Sequence, residues 1–239
     1  VKTVVISLKR SVERRTRIKE QLDKAGIKFT FFDAVDAQEA NFSYSDRRNN
    51  QLTKKRFGYK LVDSEVACFA SHFKVWNLVK DLNESLLVLE DNCDLSNHFF
   101  DYYSHLEEIS HNFNFLKLCA TKPTTYKSIK SIDESIQIIR YYKRTCGAMG
   151  YIISPKAARS FIENATQFIE PVDDYMEKPY KHGIFTYCTK PDLVTRARID
   201  STIGGSRKNK QGITLIDKVY IESFRIYEQV SDFSMKAPD

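Results

Sequence analysis

The chain has 239 residues, 37 Lys plus Arg against 31 Asp plus Glu, a formal net charge of +6, and 42% hydrophobic residues. That composition is ordinary for a globular protein, so it excludes a disordered tail and a fibrous repeat; the length suffices for a core without staples. No run of about 18 apolar residues occurs, so no membrane-spanning helix is expected.

The charge is uneven along the chain. Residues 1–60 carry +8, residues 61–120 carry −7, and the last two quarters carry +2 and +3. A basic front end beside an acidic middle either serves an anionic partner together with a cation, or is a lopsided solvated surface. The five cysteines (Cys68, Cys93, Cys119, Cys146 and Cys188) are dispersed and form no C-x-x-C. They read as free thiols of a reducing, cytoplasmic compartment. No H-E-x-x-H and no Cys/His motif occurs, so structural zinc is not expected. The opening VKTVVISLKR is too short, and too soon charged, for a signal peptide.

Taken in order, Val1–Leu8 is an apolar, β-branched run that suits a strand buried on both faces. A helix over 11–25 ends at Gly26, and Ile27–Phe32 is the next strand. This β-α-β opening predicts an α/β fold. Residues 37–60 are polar and aperiodic, expected as a long loop or short helices. Val66, Phe69, Phe73 and Trp76 follow helical steps, which predicts a helix from Asp63 to Leu82. Ser85–Glu90 is an apolar strand ending abruptly in acid. Expected next are a helix over 96–111, a strand at Phe113–Leu118, a loop over 121–134 and a strand at Ser135–Tyr142. A strand at Thr145–Ile153 follows, then a helix opened by Ser154-Pro155. Helical residues 172–182, a strand at Ile184–Cys188, a basic loop over 196–212 and an amphipathic helix Ile213–Val230 complete the chain. With no repeat and no linker, it reads as a single domain.

The cluster Glu90, Asp91, Asn92 and Asp94 directly after an apolar strand is the most informative feature. Ligands of open α/β sheets bind beyond the carboxyl ends of strands, and oxygen ligands there can hold Mn²⁺ or Mg²⁺ against a diphosphate. The alternative is a polar turn capping the next helix. Arg10, Arg14 and Arg15 follow the first strand, where guanidinium groups could pair with phosphate or simply face solvent. His72 could touch substrate or satisfy a packed helix interface. Asp173 and Asp174 could supply a general base or an N-cap. Arg196, Arg198, Arg207, Lys208 and Lys210 could clamp a phosphate or meet an anionic membrane. No nucleic-acid motif, Walker loop or G-x-G-x-x-G is present, so no nucleic-acid partner is expected.

Five pieces in order resemble glycosyltransferase family 25. They are ISLKRSVERR (Ile6–Arg15), FDAVDA (Phe32–Ala37), EVACFASHFKVW with SLLVLEDNCDL (Glu65–Trp76, Ser85–Leu95), GAMGYIISPKAA (Gly147–Ala158) and PVDDYM (Pro171–Met176). The resemblance implies a GT-A-like nucleotide-sugar-binding fold with a mostly parallel sheet flanked by helices. It also implies an inverting, metal-dependent transfer of a hexose from a UDP-sugar, galactose first and glucose second, to a terminal sugar of lipooligosaccharide. By that resemblance the donor meets Ser7, Leu8, Arg10, Arg14, Ala34, Val35, Asp36, Ser71, His72, Glu90 and Asp91. The metal (Mn²⁺ or Mg²⁺) meets Asp91, Asn92 and Asp94. The acceptor meets Gly147 and Tyr151, and Asp173 or Asp174 is the base. The family has Asp where this chain has Asn92; a neutral oxygen there weakens a divalent site. A catalytically silent sugar-binding module on the same fold is therefore the second reading. The basic loop and final helix could hold the protein peripherally at an anionic inner membrane, although core packing is the other use of that helix.

Overall fold

The computed structural model describes residues 1–199 and 212–235. Its centre is an eight-stranded sheet. Strand β1 (Lys2–Ser7) is followed by helix α1 (Val12–Lys24) and strand β2 (Phe29–Asp33). A short helix α2 (Asn50–Phe57) precedes the long helix α3 (Asp63–Leu82), which leads into β3 (Leu86–Glu90). After β4 (Cys93–Leu95) come α4 (Asn97–Tyr102), α5 (Leu106–His111), β5 (Phe115–Lys117), β6 (Tyr126–Ser131), β7 (Gln137–Tyr141) and β8 (Gly150–Ile153). Helices α6 (Pro155–Asn164), α7 (Val172–Met176) and α8 (Pro179–His182), strands β9 (Tyr187–Lys190) and β10 (Val194–Arg196), and helix α9 (Leu215–Ser234) complete it.

The sheet order is β2-β1-β3-β8-β5-β9-β7-β6, and all strands but β8 and β7 run in one direction. The expected α/β architecture, a largely unidirectional sheet flanked by helices, is therefore what forms. Alternation along the strands splits the core into two layers. Val4, Ile6, Leu86 and Val88 pack with α3 and α6 on one face. Val5, Leu87 and Leu89 pack with Ile18 and Leu22 of α1 on the other. Burial on both faces is why β1 and β3 carry unbroken apolar runs.

Several elements depart from expectation for identifiable reasons. Strand β6 lies where a loop is expected; every one of its residues is exposed, so no apolar alternation marks it, and Lys127 and Lys130 suit its edge position. The helix over 172–182 is two pieces, because Pro179 opens a new helix. The helix over 96–111 is likewise divided, by a 3-10 turn at Tyr103–His105. The strand over 145–153 shortens to Gly150–Ile153. Cys146 and Gly147 both have positive φ (+56° and +84°), and a Cβ at 147 would collide with Thr121 Oγ1. Strands β4 and β10 pair only with each other, antiparallel, and carry no pattern of their own.

Candidate functional site

Strand β1 has β2 on one side and β3 on the other, so the chain reverses its direction of travel across the sheet at the carboxyl ends of β1 and β3. Such a switch point opens a crevice. Here it is a solvent-open cleft of about 690 Å³. Register does the placing: Ile6 lies opposite Glu90, so Ser7 falls beside Asp91. Four segments line the cleft. Ser7, Leu8, Arg10 and Arg14 come from the end of β1 and the start of α1. Ala34, Val35 and Asp36 follow β2. Cys68, Ser71 and His72 face it from α3, and Glu90, Asp91 and Asn92 follow β3. All eleven residues expected at the donor are thus brought into one place.

Most polar groups there are held by a neighbour. Ser7 Oγ donates to Asp91 Oδ2 at 2.6 Å, and Arg14 lies 3.5 Å from Asp91 Oδ1. Arg10 Nε donates to Asp36 Oδ2 at 2.5 Å. Ser71 Oγ accepts from Val35 N–H at 2.9 Å and so fixes the loop after β2. A second set runs inward. Trp76 Nε1 donates to Tyr151 Oη at 3.3 Å, Tyr151 Oη lies 2.8 Å from His72 Nδ1, and His72 Nε2 lies 3.0 Å from Glu90 Oε1. Asn92 Nδ2 donates to Glu90 Oε2 at 2.9 Å. Indole can only donate and a carboxylate only accept. Tyr151 Oη therefore accepts from Trp76, and His72 donates its Nε2–H to Glu90.

The two carboxyls shift in opposite directions. Burial pushes Glu90 up, but the hydrogen bond and charge of His72, the hydrogen bond from Asn92 and the charge of Arg196 outweigh it and hold the group below its usual range. At Asp91 burial wins over Ser7 and Arg14, and its pKa is raised. Asn92 Oδ1 is buried and has no hydrogen-bond partner among the described residues.

Other expected site residues are elsewhere. Asp94 does not line the cleft: its carboxylate accepts from Arg17 and Gln21 of α1. With Asp94 turned away and Asp91 occupied by Ser7 and Arg14, the trio Asp91, Asn92 and Asp94 does not fit a hard-cation site as a set. Tyr151, expected at the acceptor, is 0% exposed, and its hydroxyl is committed to His72 and Trp76. Gly147 N–H donates to Asp173 Oδ2 at 2.9 Å, and Asp173 Oδ1 accepts from Asp174 N–H at 3.1 Å. Asp173 therefore clamps local backbone N–H groups, but it is not a helix cap: the N-cap of α7 is Pro171, and no side chain caps that helix. Gly147, Asp173 and Asp174 lie outside the cleft lining. Of the basic loop, Arg207, Lys208 and Lys210 lie outside the described residues.

Two features escape a motif reading. Cys68 joins the cleft because it is one helical turn from His72 on the same face of α3. Trp76, which reads as core, and Tyr151, expected at the acceptor, are the anchor of the His72–Glu90 pair; the i, i+4 step from His72 to Trp76 is the sequence trace of it.

Comparison with known proteins agrees with the motifs. The model of glycosyltransferase family 25 (LPS biosynthesis protein) matches residues 1–176. The chain is 27% identical to lipooligosaccharide biosynthesis protein lic2B of Haemophilus influenzae, over 65% of this chain and 60% of that protein. It is 25% identical to lipooligosaccharide biosynthesis protein lex-1 of the same species, over 68% and 63%. It is 24% identical to human procollagen galactosyltransferase 2, over 77% and 31%. The chain thus spans less than two thirds of these relatives' own lengths. A solved glycosyltransferase involved in glycosylating the major capsid of PBCV-1 aligns at 8% identity with a TM-score of 0.44, over 94% of this chain and 98% of that one, too remote to carry an argument. The family model covers about three quarters of the chain, and three of the five motif pieces meet at one cleft: the protein belongs to glycosyltransferase family 25.

Proposed function

We propose that this chain transfers a hexose, galactose first and glucose second, from a UDP-sugar to a terminal sugar of lipooligosaccharide, with inversion. The observation that carries the reading is the switch-point cleft, where two guanidinium groups, Arg10 and Arg14, stand at the rim of a carboxylate-lined floor. Bidentate guanidinium–phosphate pairing suits a diphosphate, and it stabilises the charge that develops as UDP leaves. The names of the bacterial relatives support the lipooligosaccharide acceptor, and that of the human one supports galactose. No step here is routed through a hard cation at Asp91, Asn92 and Asp94.

The chemistry is one in-line displacement at the anomeric carbon. The acceptor hydroxyl attacks while a carboxylate takes its proton, and UDP departs from the opposite face. Of the expected pair, Asp173 has both oxygens on backbone N–H groups, while Asp174 Oδ1 faces the Cys146 thiol at 3.7 Å; we place the base at Asp174. We expect Asp174→Asn to lower kcat by about 10²–10⁴-fold. Asp173→Asn should instead lower stability. Equal, near-parent turnover in both variants removes the assignment.

Calorimetry with UDP-galactose, UDP-glucose, GDP-sugars and CMP-sugars tests the donor. UDP-sugars alone should bind, and Arg14→Ala should weaken them by about 10- to 150-fold, the range for a lost charged hydrogen bond. Binding of every nucleotide class alike, or none, ends the reading. Transfer by the parent chain separates an enzyme from a silent module.

Membrane contact rests on α9. Leu215, Ile216, Val219, Ile226, Val230 and Phe233 are each at least 60% exposed on one side of it. Ile221, Phe224 and Glu228 hold the other side to the body. Core packing thus uses fewer of its apolar residues than expected. Lys54, Lys55 and Arg56 of α2 adjoin that helix, Lys55 over the Tyr220 ring and Arg56 over Phe224. An apolar face bordered by cations suits an anionic bilayer. Sedimentation with anionic but not neutral liposomes is expected; no sedimentation at low salt overturns it. Among the described residues no helix is long and apolar enough to cross a membrane.

A further inference from the structure

The cleft floor holds a ligand set that is not the acidic one. Cys68 Sγ, a ring nitrogen of His72 and a carboxylate oxygen of Glu90 all lie within 4.8 Å of one another. His72 is 1% and Glu90 17% exposed at the side chain, and Cys68 is half-buried, so the trio sits at the boundary between core and cleft. We propose that Cys68, His72 and Glu90 form a site for one borderline-soft divalent cation, Zn²⁺ in kind, with its remaining coordination position open to the cleft.

Four points support it. First, the donor types match: thiolate and imidazole prefer Zn²⁺ to Mg²⁺ or Mn²⁺, and three protein ligands with one open position is the pattern of a reactive rather than a structural zinc. Second, the spacing is close. Bonds of about 2.0–2.3 Å place tetrahedral ligands about 3.3–3.7 Å apart. The His72–Glu90 distance of 3.0 Å must open slightly, and Cys68 must close by side-chain rotation. Third, the outer ring of contacts is already built. His72 Nδ1 faces Tyr151 Oη at 2.8 Å, and Asn92 Nδ2 holds the far oxygen of Glu90 at 2.9 Å. A ligating histidine needs its second nitrogen fixed in this way. Fourth, Asn92 Oδ1 is buried without a partner among the described residues, on an amide whose nitrogen holds Glu90. A cation bound to Glu90 supplies positive charge beside that oxygen.

Binding is balanced by proton release. The Cys68 thiol gives up its proton, and His72 gives up the Nε2–H that it donates to Glu90 in the metal-free network; its ring proton then resides on Nδ1 and faces the Tyr151 oxygen. This inference deepens the reading of the same cleft, yet it does not require a nucleotide donor to be correct.

The test uses the full chain and Co²⁺ as a spectroscopic substitute. One Co²⁺ per chain should bind, with a sulfur-to-metal charge-transfer band that disappears in Cys68→Ser and persists in Cys146→Ser. Binding well below one ion per chain overturns the site, as does a band that survives Cys68→Ser. A second measurement needs no variant: Zn²⁺ should slow alkylation of Cys68, read by peptide mass mapping, and leave Cys146 unprotected. Unchanged labelling of Cys68 also overturns it. UDP-galactose binding is measured separately by calorimetry. Metal binding without nucleotide binding sinks the donor reading and keeps the site; the reverse sinks the site alone.

Discussion

Two of the ionic networks among the described residues differ in closure. One joins α8 and α9 to the body: Lys178, 1% exposed, pairs with Glu170 and Glu228, while Lys181 takes the other oxygen of Glu170. Arg144 pairs with Glu228 and Asp232, and Tyr180 Oη donates to Glu228 Oε1 at 2.7 Å. Cations and carboxylates there match three for three. The other network is the cleft floor, where Asp91 meets Arg14 at 3.5 Å, Glu90 is held by His72 and Asn92 within the field of Arg196, and Asn92 Oδ1 is buried without a partner among the described residues. A fully paired network has nothing left to offer a ligand and serves as a latch. A loosely closed one that opens to solvent keeps spare lone pairs. Buried charge alone therefore does not mark a site; open lone pairs with access do.

The latch can be broken directly. Lys178→Met removes the cation shared by Glu170 and Glu228 and leaves buried carboxylates undercompensated. Deleting one partner of a buried pair costs about 3–5 kcal/mol. Urea unfolding should show a loss of that size, whereas Arg14→Ala in the cleft should cost about 1–3 kcal/mol, since its contact with Asp91 is long at 3.5 Å and Asp91 keeps its hydrogen bond from Ser7. Equal losses from the two would show that the cleft is as structural as the latch.

A smaller effect separates them by pH. His182 lies beside the latch, in the apolar company of Phe161 and Tyr175. Its Nε2 donates to Tyr175 O at 3.1 Å and its Nδ1 accepts from Ile184 N–H at 3.2 Å, so it is neutral. Burial lowers its pKa from 6.5 to about 4. The unfolded chain takes up this proton near pH 6.5 and the folded chain only near 4. The contribution is whole above 6.5, declines as pH falls, and is gone below 4, a change of about 3 kcal/mol. Comparing unfolding at pH 7 and pH 4.5 for the parent and for His182→Gln isolates it; the variant should lack that part of the decline. Identical slopes would show that His182 is solvated in the folded chain.

What the sequence makes legible follows the same physics. Strands β1 and β3 and helix α3 announce themselves because they bury apolar residues at a fixed period. Strand β6 buries nothing and so leaves no pattern. The cleft is legible because four segments end in polar residues just where strands end. Asp94 and Asp91 look alike in sequence, three residues apart; only the turn after β3 and the approach of Arg17 decide that one faces the cleft and the other α1. Tyr151 has the composition of a surface contact and the position of a core residue. Pairings between distant segments, such as Tyr151 with His72 or Lys178 with Glu228, have no local signature at all.

The finest test of the open network is Tyr151→Phe, which deletes one oxygen and little volume. Trp76 Nε1 loses its acceptor and His72 Nδ1 its partner, both in a fully buried site. A stability cost of about 1–2 kcal/mol is expected, smaller than breaking the latch, because neutral hydrogen bonds are lost rather than an ion pair. The informative readout is elsewhere. If the hydroxyl orients His72 toward Glu90 and Cys68, its loss should weaken Co²⁺ binding by about 10–100-fold, as deletion of a hydrogen bond behind a metal-binding histidine does. A Phe variant that loses stability but binds Co²⁺ as tightly as the parent would make Tyr151 a core residue only. The His72–Glu90 pair would then be set by α3 and β3 without help from β8.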